Sequence, residues 1–243
     1  MSELLARRGA PQVYSLPRQL FRKFVHWASY NFILTSKRTR TVRVGDLQLV
    51  VLPSVFHPGI FLTSRIFSAF LRSLDLAGKS VIEVGTGSGI LALSAARAGA
   101  RSVLALDINP AAVSAAQKNA AMNGLSAVVS ARVSDLLSAA RADEIVDVII
   151  SSPPSFSGEP RDMADRAWHA GPSYRDITSL FDQAYRHLAN DGVMYVLLSS
   201  DTDVVLMETL AREANFGWQE IERHSIWVEA FMIYRLAKRP LAA

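Results

Sequence analysis

The strongest constraint on the fold is a regular alternation of strand and helix patterns that begins near residue 79. The segments SVIEVG, SVLALD, AVVSARVSD, VDVIISS and GVMYVLLSS are typical of buried strands, and helical patterns separate most of them. Strands joined by helices indicate a parallel sheet covered on both faces. Two last strands, WQEIERHSI and EAFMIYRLA, follow each other directly and predict an antiparallel edge hairpin. We therefore expect an α/β fold with a doubly wound, mostly parallel seven-stranded sheet.

The first 58 residues have a different pattern, which predicts an extension ahead of a domain spanning residues 59–243. SLPRQLFRKFVHWASYNFIL has the spacing of an amphipathic helix, and RTVRVGDLQLVVLP alternates around a Gly-Asp turn as a hairpin would. Residues 1–45 carry nine Lys and Arg against one acid, a balance of +8 in a chain of net charge +4. This asymmetry is compatible with an anionic partner such as RNA or with a solvated helix face.

The composition excludes several classes of protein. There is no cysteine, which excludes disulfide scaffolds, thiolate metal sites and a cysteine nucleophile. The histidines at positions 26, 57, 169, 187 and 224 lack metal-ligand spacing, so we expect no metal and interpret all five as structural or surface residues. The chain has no apolar run of eighteen residues and no secretory signal pattern at its start, so we expect a cytoplasmic protein with no membrane partner.

The first strand of the alternating region ends in the glycine-rich sequence EVGTGSGI. Open α/β sheets bind ligands at the carboxyl ends of their strands, and glycines there let the backbone approach a ligand closely. A dinucleotide fingerprint would need glycine where Ile90 stands, and no Gly-Lys-Ser/Thr follows as in a P-loop. A lipase-type nucleophile elbow would need glycine where Thr86 stands. The ligand is therefore of another class.

EVGTGSGILAL resembles motif I of class I S-adenosylmethionine (SAM) methyltransferases, which reads acidic-x-G-x-G-x-G. The resemblance implies SAM as the cofactor and a class I methyltransferase fold. It implies that Asp107 binds the ribose hydroxyls, that Ile108 packs on the adenine, that Asp135 holds the adenine amino group and that Glu83 orients the methionine amine. The complete set of cofactor-binding residues implied by the resemblance is Thr63, Glu83, Gly85, Thr86, Gly87, Gly89, Asp107, Ile108, Asp135 and Ser152.

The fourth strand ends in SSPPSF, where members of this family that methylate planar nitrogen carry Asn/Asp-Pro-Pro-Tyr/Phe. The resemblance, which spans roughly residues 42–236, is closest to the small-domain release-factor glutamine and RNA N2-guanine methyltransferases. Here Ser152 replaces the Asn or Asp, Ser155 replaces the aromatic residue, and Phe156 comes one position late. A serine hydroxyl is shorter than a carboxamide and donates as well as accepts. The departure weakens the two-acceptor clamp on a planar NH₂ group.

Residues 155–174, here called the acceptor loop, form a long connection that is typical of a functional lid. We expect its aromatic side chains, together with an N-terminal helix carrying Trp27 and Tyr30, to cover the reactive end of the site. The catalytic residues predicted are Ser152, Pro153 (through its carbonyl) and Tyr174, and the substrate-binding residues predicted are Phe156, Trp168 and Tyr174.

The sequence leaves three enzymatic functions open. The first is a SAM-dependent methyltransferase with a small or medium-sized molecule as its acceptor, a small-molecule partner being the main expectation. The second is an RNA or protein N-methyltransferase, favoured by the basic N-terminus. The third is an enzyme that cyclises SAM's own aminobutyrate chain to azetidine-2-carboxylate and releases methylthioadenosine. A SAM-binding module without activity would leave the long acceptor loop unexplained.

Overall fold

A computed structural model describes Tyr30 and residues 38–58, 62–227 and 229–240 of the 243-residue chain. The predicted N-terminal amphipathic helix and its Trp27 lie outside the described residues. The predicted hairpin is present as a two-stranded antiparallel sheet, in which β1 (Arg40–Val44) pairs with β2 (Leu47–Val51). No helix within the described ranges is long and apolar enough to cross a lipid bilayer.

The main sheet has seven strands in the order β5-β4-β3-β6-β7-β9-β8. All neighbours pair in parallel except β9, which is antiparallel to both β7 and β8. The predicted sheet and its antiparallel edge pair are therefore confirmed. The strands are β3 (Ser80–Val84), β4 (Ser102–Asp107), β5 (Val129–Val133), β6 (Val146–Ser151), β7 (Leu188–Ser199), β8 (Phe216–Ser225) and β9 (Ala230–Lys238).

Five α-helices lie within the described residues: α1 (Leu62–Ser73), α2 (Ile90–Arg97), α3 (Pro110–Met122), α4 (Leu180–His187) and α5 (Val204–Glu213). The start of α3 illustrates how the sequence sets a boundary. The Asn109 side chain accepts a hydrogen bond from the Ala111 N–H, and Pro110 occupies the first helical position, where a missing N–H costs nothing. Gly124 follows with a φ of 69°, which stops the helix where the pattern predicts.

Alternate residues of the central strands face two separate cores. Ile82 and Ile149 pack into one apolar cluster with α4 and α5, whereas Val81 and Val148 pack into a second cluster with α1 and α2. Both faces are covered, as a parallel sheet requires. From β3 the chain adds β4 and β5 on one side of the sheet and then β6 and β7 on the other, so the strand order switches between β3 and β6. The carboxyl ends of these two parallel strands flank the crevice where ligands bind in doubly wound folds.

The β1–β2 hairpin is attached to α3 by two asparagine side chains. Asn119 accepts a hydrogen bond from the Val50 N–H at 2.7 Å and donates to the Val50 carbonyl at 2.9 Å. Asn123 forms the same two bonds with Gln48, at 3.1 and 2.7 Å. The side chain of Asn119 also donates to the carbonyl of Ser88 in the glycine loop, so the hairpin is joined to the ligand-binding region.

One predicted helix differs from the structure. The helix expected to begin at Tyr174 and end near Asp191 is restricted to α4, and β7 begins at Leu188. Ser173 and Tyr174 have φ values of 54° and 59°, a left-handed conformation that an α-helix cannot contain. At the other end, Leu188 pairs with Val146 across a register shift in the sheet. Residues from Leu188 onward, which have helical spacing in the sequence, therefore pair in the sheet instead.

Candidate active site

A cavity of about 420 Å³ opens at the carboxyl ends of β3, β4 and β6, a volume typical of small-ligand sites. It contains twelve of the predicted site residues. They are Thr63, Glu83, Gly85, Thr86, Gly87, Asp107, Ile108, Asp135, Ser152, Pro153, Phe156 and Trp168. Gly89 and Tyr174 do not line this cavity. No group of three or more metal-ligating side chains is found within the described residues.

The glycine loop turns sharply between β3 and α2. The N–H groups of Gly85 and Thr86 both donate to the Leu106 carbonyl, at 2.8 and 3.0 Å, which fixes the loop against β4. Gly89 has a φ of 83°, and a Cβ added to it would lie 2.9 Å from the Cα of Ala116 in α3. Gly89 is therefore required for close packing of the loop on α3, and its predicted cofactor contact stays a prediction.

Glu83 is fully buried at the end of β3, and burial raises its pKa to about 8. Its Oε2 accepts hydrogen bonds from the Thr86 hydroxyl and from the Ala92 N–H. Its Oε1 is buried without a hydrogen-bond partner in the described part of the chain. A buried acceptor that lacks a donor is costly unless a ligand supplies one. The site therefore fits the cationic amine of SAM's methionine group.

Asp107 ends β4, and each of its carboxylate oxygens accepts one backbone hydrogen bond. Oδ2 accepts from the Gly87 N–H at 2.8 Å and Oδ1 accepts from the Asn109 N–H at 2.9 Å. Burial raises the pKa of this carboxyl, although the two backbone bonds oppose the shift. Each oxygen retains lone-pair capacity, which fits a ligand diol such as a ribose. Ile108 and Asp135 are exposed at the rim beside it.

The segment after β6 joins the acceptor loop directly. The Phe156 N–H donates to the Trp168 carbonyl, and the Ala170 N–H donates to the Phe156 carbonyl, both at 2.9 Å. Phe156 and Trp168 pack together with Tyr30, the one described residue among the first 37. The Ser155 hydroxyl accepts from Ser199 at 3.2 Å. The loop is thus an extension of the strand end that carries Ser152 and Pro153.

Tyr174 occupies a different position from the one the sequence suggests. Its ring is buried in the sheet core. Its hydroxyl donates to the Ser155 carbonyl at 2.9 Å and accepts from the Asp203 N–H at 3.1 Å. The hydroxyl thereby joins the start of the acceptor loop to the N-terminus of α5. Tyr174 does not line the cavity, and its catalytic and substrate-binding roles stay predictions.

Several residues of the cavity wall were not predicted from the sequence. His169 and Arg166 line it from the acceptor loop, and Ile226 and Glu229 line it from the β8–β9 hairpin. His169 directly follows Trp168, which was predicted to bind substrate, so the aromatic pattern indicated this part of the loop but not the histidine itself. The hairpin residues had no sequence signal, because their proximity depends on the crossing of β9 between β7 and β8.

The fold and the cavity together define a class I methyltransferase fold, as the resemblance predicted. A solved structure of the Thermus thermophilus 16S rRNA N2 G1207 methyltransferase, in complex with AdoMet and guanosine, superposes with a TM-score of 0.64 at 23% identity. It covers 83% of this chain and 50% of that one. The ribosomal protein L11 methylase of Lactobacillus delbrueckii superposes with a TM-score of 0.56 at 21% identity, over 80% of this chain and 97% of that one.

Residues 56–153 match the family model of the ribosomal protein L11 methyltransferases. The L11 methyltransferase of Symbiobacterium thermophilum is 40% identical over 109 residues, which are 44% of this chain and 36% of the relative. That of Deinococcus radiodurans is 46% identical over 85 residues, or 35% of this chain and 31% of the relative. The chain thus spans about a third of the length of the curated relatives it matches. The matched segment contains the glycine loop, Asp107, Asp135 and the first residues of the SSPPSF segment.

These relatives correct one expectation from the sequence. A small-molecule acceptor was the main expectation for the partner, and it is wrong, since the curated relatives are named for methylation of a ribosomal protein. The reason for the error is physical. The altered SSPPSF segment reduces the case for a planar amine, but it carries no information on the size of the molecule to which the acceptor group is attached.

Proposed function

We propose that this chain binds SAM and transfers its methyl group to a nitrogen of a protein substrate. The observation that carries the proposal is the convergence of three features on one cavity: the glycine loop, the carboxylate of Asp107, and Oε1 of Glu83, which has no hydrogen-bond partner among the described residues. Glu83 would hold the methionine amine, Asp107 the ribose hydroxyls and Asp135 the adenine edge. SAM supplies an electrophilic methyl group on a good leaving group, so the protein has to position the acceptor and exclude water.

A protein is favoured over RNA as the substrate by the charges around the site. Acidic side chains outnumber basic ones between residues 46 and 240. The three arginines of the acceptor loop and its border, Arg161, Arg166 and Arg175, pair with carboxylates at 2.8 to 3.3 Å. Because RNA affinity comes largely from cations that neutralise phosphates, arginines already paired with carboxylates contribute less to it.

An aliphatic amine is favoured over a planar amide or guanine amine as the acceptor group. The carboxamide or carboxylate that would accept hydrogen bonds from a planar NH₂ is replaced by Ser152, which lines the cavity next to Pro153. A tetrahedral amine does not need its lone pair aligned by two in-plane acceptors. It needs to lose a proton before it attacks, because an alkyl ammonium has a pKa near 10.4 in water.

The test is incubation of the purified chain with methyl-labelled SAM and either ribosomal protein L11 or a 16S rRNA transcript. We expect label in the protein at an amine, formation of S-adenosylhomocysteine, and little change between 50 and 200 mM salt. Label in the RNA, with a steep loss of activity as salt rises, would move the assignment to RNA. Absence of SAM binding by calorimetry would overturn the proposal altogether.

A second candidate is intramolecular cyclisation of SAM, for which the replaced clamp and the state of Glu83 are the specific observations. Burial raises the pKa of Glu83 to about 8, so this carboxyl is matched to exchanging a proton with a neighbouring amine near neutral pH. Ring closure needs that amine to lose a proton before its nitrogen displaces methylthioadenosine. Incubation with SAM alone separates the two, since only cyclisation yields methylthioadenosine and azetidine-2-carboxylate without any acceptor.

A further inference from the structure

His169 lines the cavity from the acceptor loop, although its sequence context suggested only a structural role. Its ring centroid lies 5.7 Å from that of Phe156. The two backbone hydrogen bonds that join Phe156 to the loop involve Trp168 and Ala170, the residues on either side of His169. The ring is therefore fixed relative to the strand end that carries Ser152.

The Nδ1 edge of the imidazole faces a buried carboxylate. Nδ1 lies 3.2 Å from Oδ1 of Asp165, at ion-pair distance, and it has no aligned hydrogen bond with the described residues. Asp165 is itself fully buried. Arg161 donates to both of its oxygens, from Nη2 at 2.8 Å and from Nε at 2.9 Å. Burial alone would raise the pKa of Asp165, but the bonds from Arg161 outweigh it and hold the pKa at about 2.

This arrangement favours one of the two neutral tautomers of the His169 ring. An ionised carboxylate at Nδ1 favours the tautomer protonated there, and the lone pair is then on Nε2. Nε2 forms no hydrogen bond with the described residues, and the adjacent Cδ2 edge packs over Gly158, where an added Cβ would lie 3.2 Å from Cδ2. The Arg161 guanidinium, which bonds to Asp165, stacks in turn on the ring of Tyr30, 3.4 Å from the ring centre.

We propose that His169 is a catalytic residue that accepts, at Nε2, the proton released by the acceptor amine, and that Asp165 and Arg161 position its ring. The inference rests on the proposed function. The acceptor ammonium first gives a proton to Nε2, which leaves a lone pair on its nitrogen. That lone pair forms a bond to the methyl carbon, and the carbon–sulfur bonding pair stays on sulfur to give S-adenosylhomocysteine. The proton passes from Nε2 to solvent, so the charge balances.

The test compares His169→Asn with wild type and with His187→Asn. Asparagine at position 169 keeps a donor near Asp165 and removes Nε2, whereas His187 bonds to the Glu144 carbonyl at 3.0 Å and does not line the cavity. We expect single-turnover methylation of L11 to fall roughly 10²- to 10⁴-fold in His169→Asn, the usual effect of a lost general base. The SAM affinity of His169→Asn, measured by calorimetry, should stay within threefold of wild type. For His187→Asn, both the methylation rate and the SAM affinity should stay within twofold of wild type.

A second measurement does not depend on turnover. Nitrogen-15 NMR of the ligand-free protein should detect His169 with its proton on Nδ1, and Asp165→Asn should shift the ring toward a mixture of tautomers. Wild type with the proton on Nε2 would overturn the inference, and so would His169→Asn and His169→Gln proteins that methylate L11 at the wild-type rate. A wild-type protein that methylates neither L11 nor RNA would instead overturn the proposed function, and this role with it.

Discussion

The cofactor half of the cavity (residues 80–135) and the acceptor half (residues 152–177) are built in different ways. In the cofactor half, Glu83 and Asp107 end regular strands, and backbone N–H groups hold their carboxylates. In the acceptor half, an irregular loop is held by side-chain ion pairs and by Tyr174 in a left-handed conformation. The family match ends at residue 153, where the acceptor half begins. The portion that matches the family model is thus largely the regular one, and most of the irregular loop lies outside the match.

The largest effect on SAM affinity should come from Gly89→Ala. The new Cβ would meet the α3 backbone at 2.9 Å while the residue keeps a φ of 83°, so both overpacking and backbone strain apply. We expect a loss of roughly 2–5 kcal/mol in stability and at least a hundredfold weaker SAM binding by calorimetry. Gly78→Ala is the matched control, because Gly78 has a φ of 72° with nothing within 4 Å of its Cβ. Equal losses in both variants would mean that packing on α3 does not matter.

Asp107→Ala should have the next largest effect. The change removes the acceptor for the Gly87 and Asn109 N–H groups as well as the proposed ribose contact. Hydrogen bonds to charged groups contribute about 1.5–3 kcal/mol each, so SAM affinity should fall roughly a hundredfold. Asp135→Ala, at an exposed position, should lower it by less than tenfold. If the two variants bind SAM equally, the assignment of Asp107 to the ribose is wrong.

Glu83→Gln tests the electrostatics of the cofactor half. With a pKa of about 8, the free Glu83 carboxyl binds a proton at neutral pH, and a cationic amine would displace that proton. SAM affinity should therefore rise between pH 6 and 8, by at most about tenfold per pH unit, and the slope should vanish in the variant. Calorimetry in buffers of different ionisation enthalpy measures the released proton directly. A wild-type affinity without pH dependence would contradict the contact.

The same carboxyl sets a trend in stability. Because its folded pKa lies above its ordinary value of 4.5, its contribution is fully present below pH 4.5 and is lost as the pH rises through about 8. The melting temperature of the ligand-free wild type, relative to Glu83→Gln, should fall across this range.

Arg161→Met should have the smallest effect on SAM affinity, within threefold, since Arg161 does not line the cavity. It leaves the buried Asp165 carboxylate without its guanidinium partner, which costs roughly 3 kcal/mol. The depressed Asp165 pKa contributes stability above pH 4 that is lost toward pH 2, and the variant should begin to lose it at higher pH. Thermal unfolding measures this, with Arg212→Met, which removes an ion pair to the partly exposed side chain of Glu208, as the control. Weakened SAM binding would mean that the two halves are coupled.

The sequence was sufficient for the cofactor half because each of its signals is local. The glycine spacing, the acid at a strand end and the proline at a helix start depend on neighbouring residues, so Glu83, Asp107 and α3 lie where they were expected. The acceptor half depends on distant contacts. The Tyr174 hydroxyl accepts a hydrogen bond from the Asp203 N–H, and the segment that follows Asp165 folds back on Phe156. Neither contact leaves a periodic trace in the sequence.

The paired asparagines of α3 have a consequence for how the chain can be divided. Four residues of helix rise about 6.0 Å and two residues of strand about 6.6 Å, so the amides of Asn119 and Asn123 match the spacing of Val50 and Gln48. The two side-chain amides of α3 thus bond to the outer edge of β2, where a third strand would otherwise pair. A shift of one residue in β2 would separate both amides from their backbone partners. A truncated chain that starts after residue 51 would leave the buried amide of Asn119 without its two partners in β2. A chain that keeps this attachment therefore has to include β1 and β2, which precede every described residue that lines the cavity.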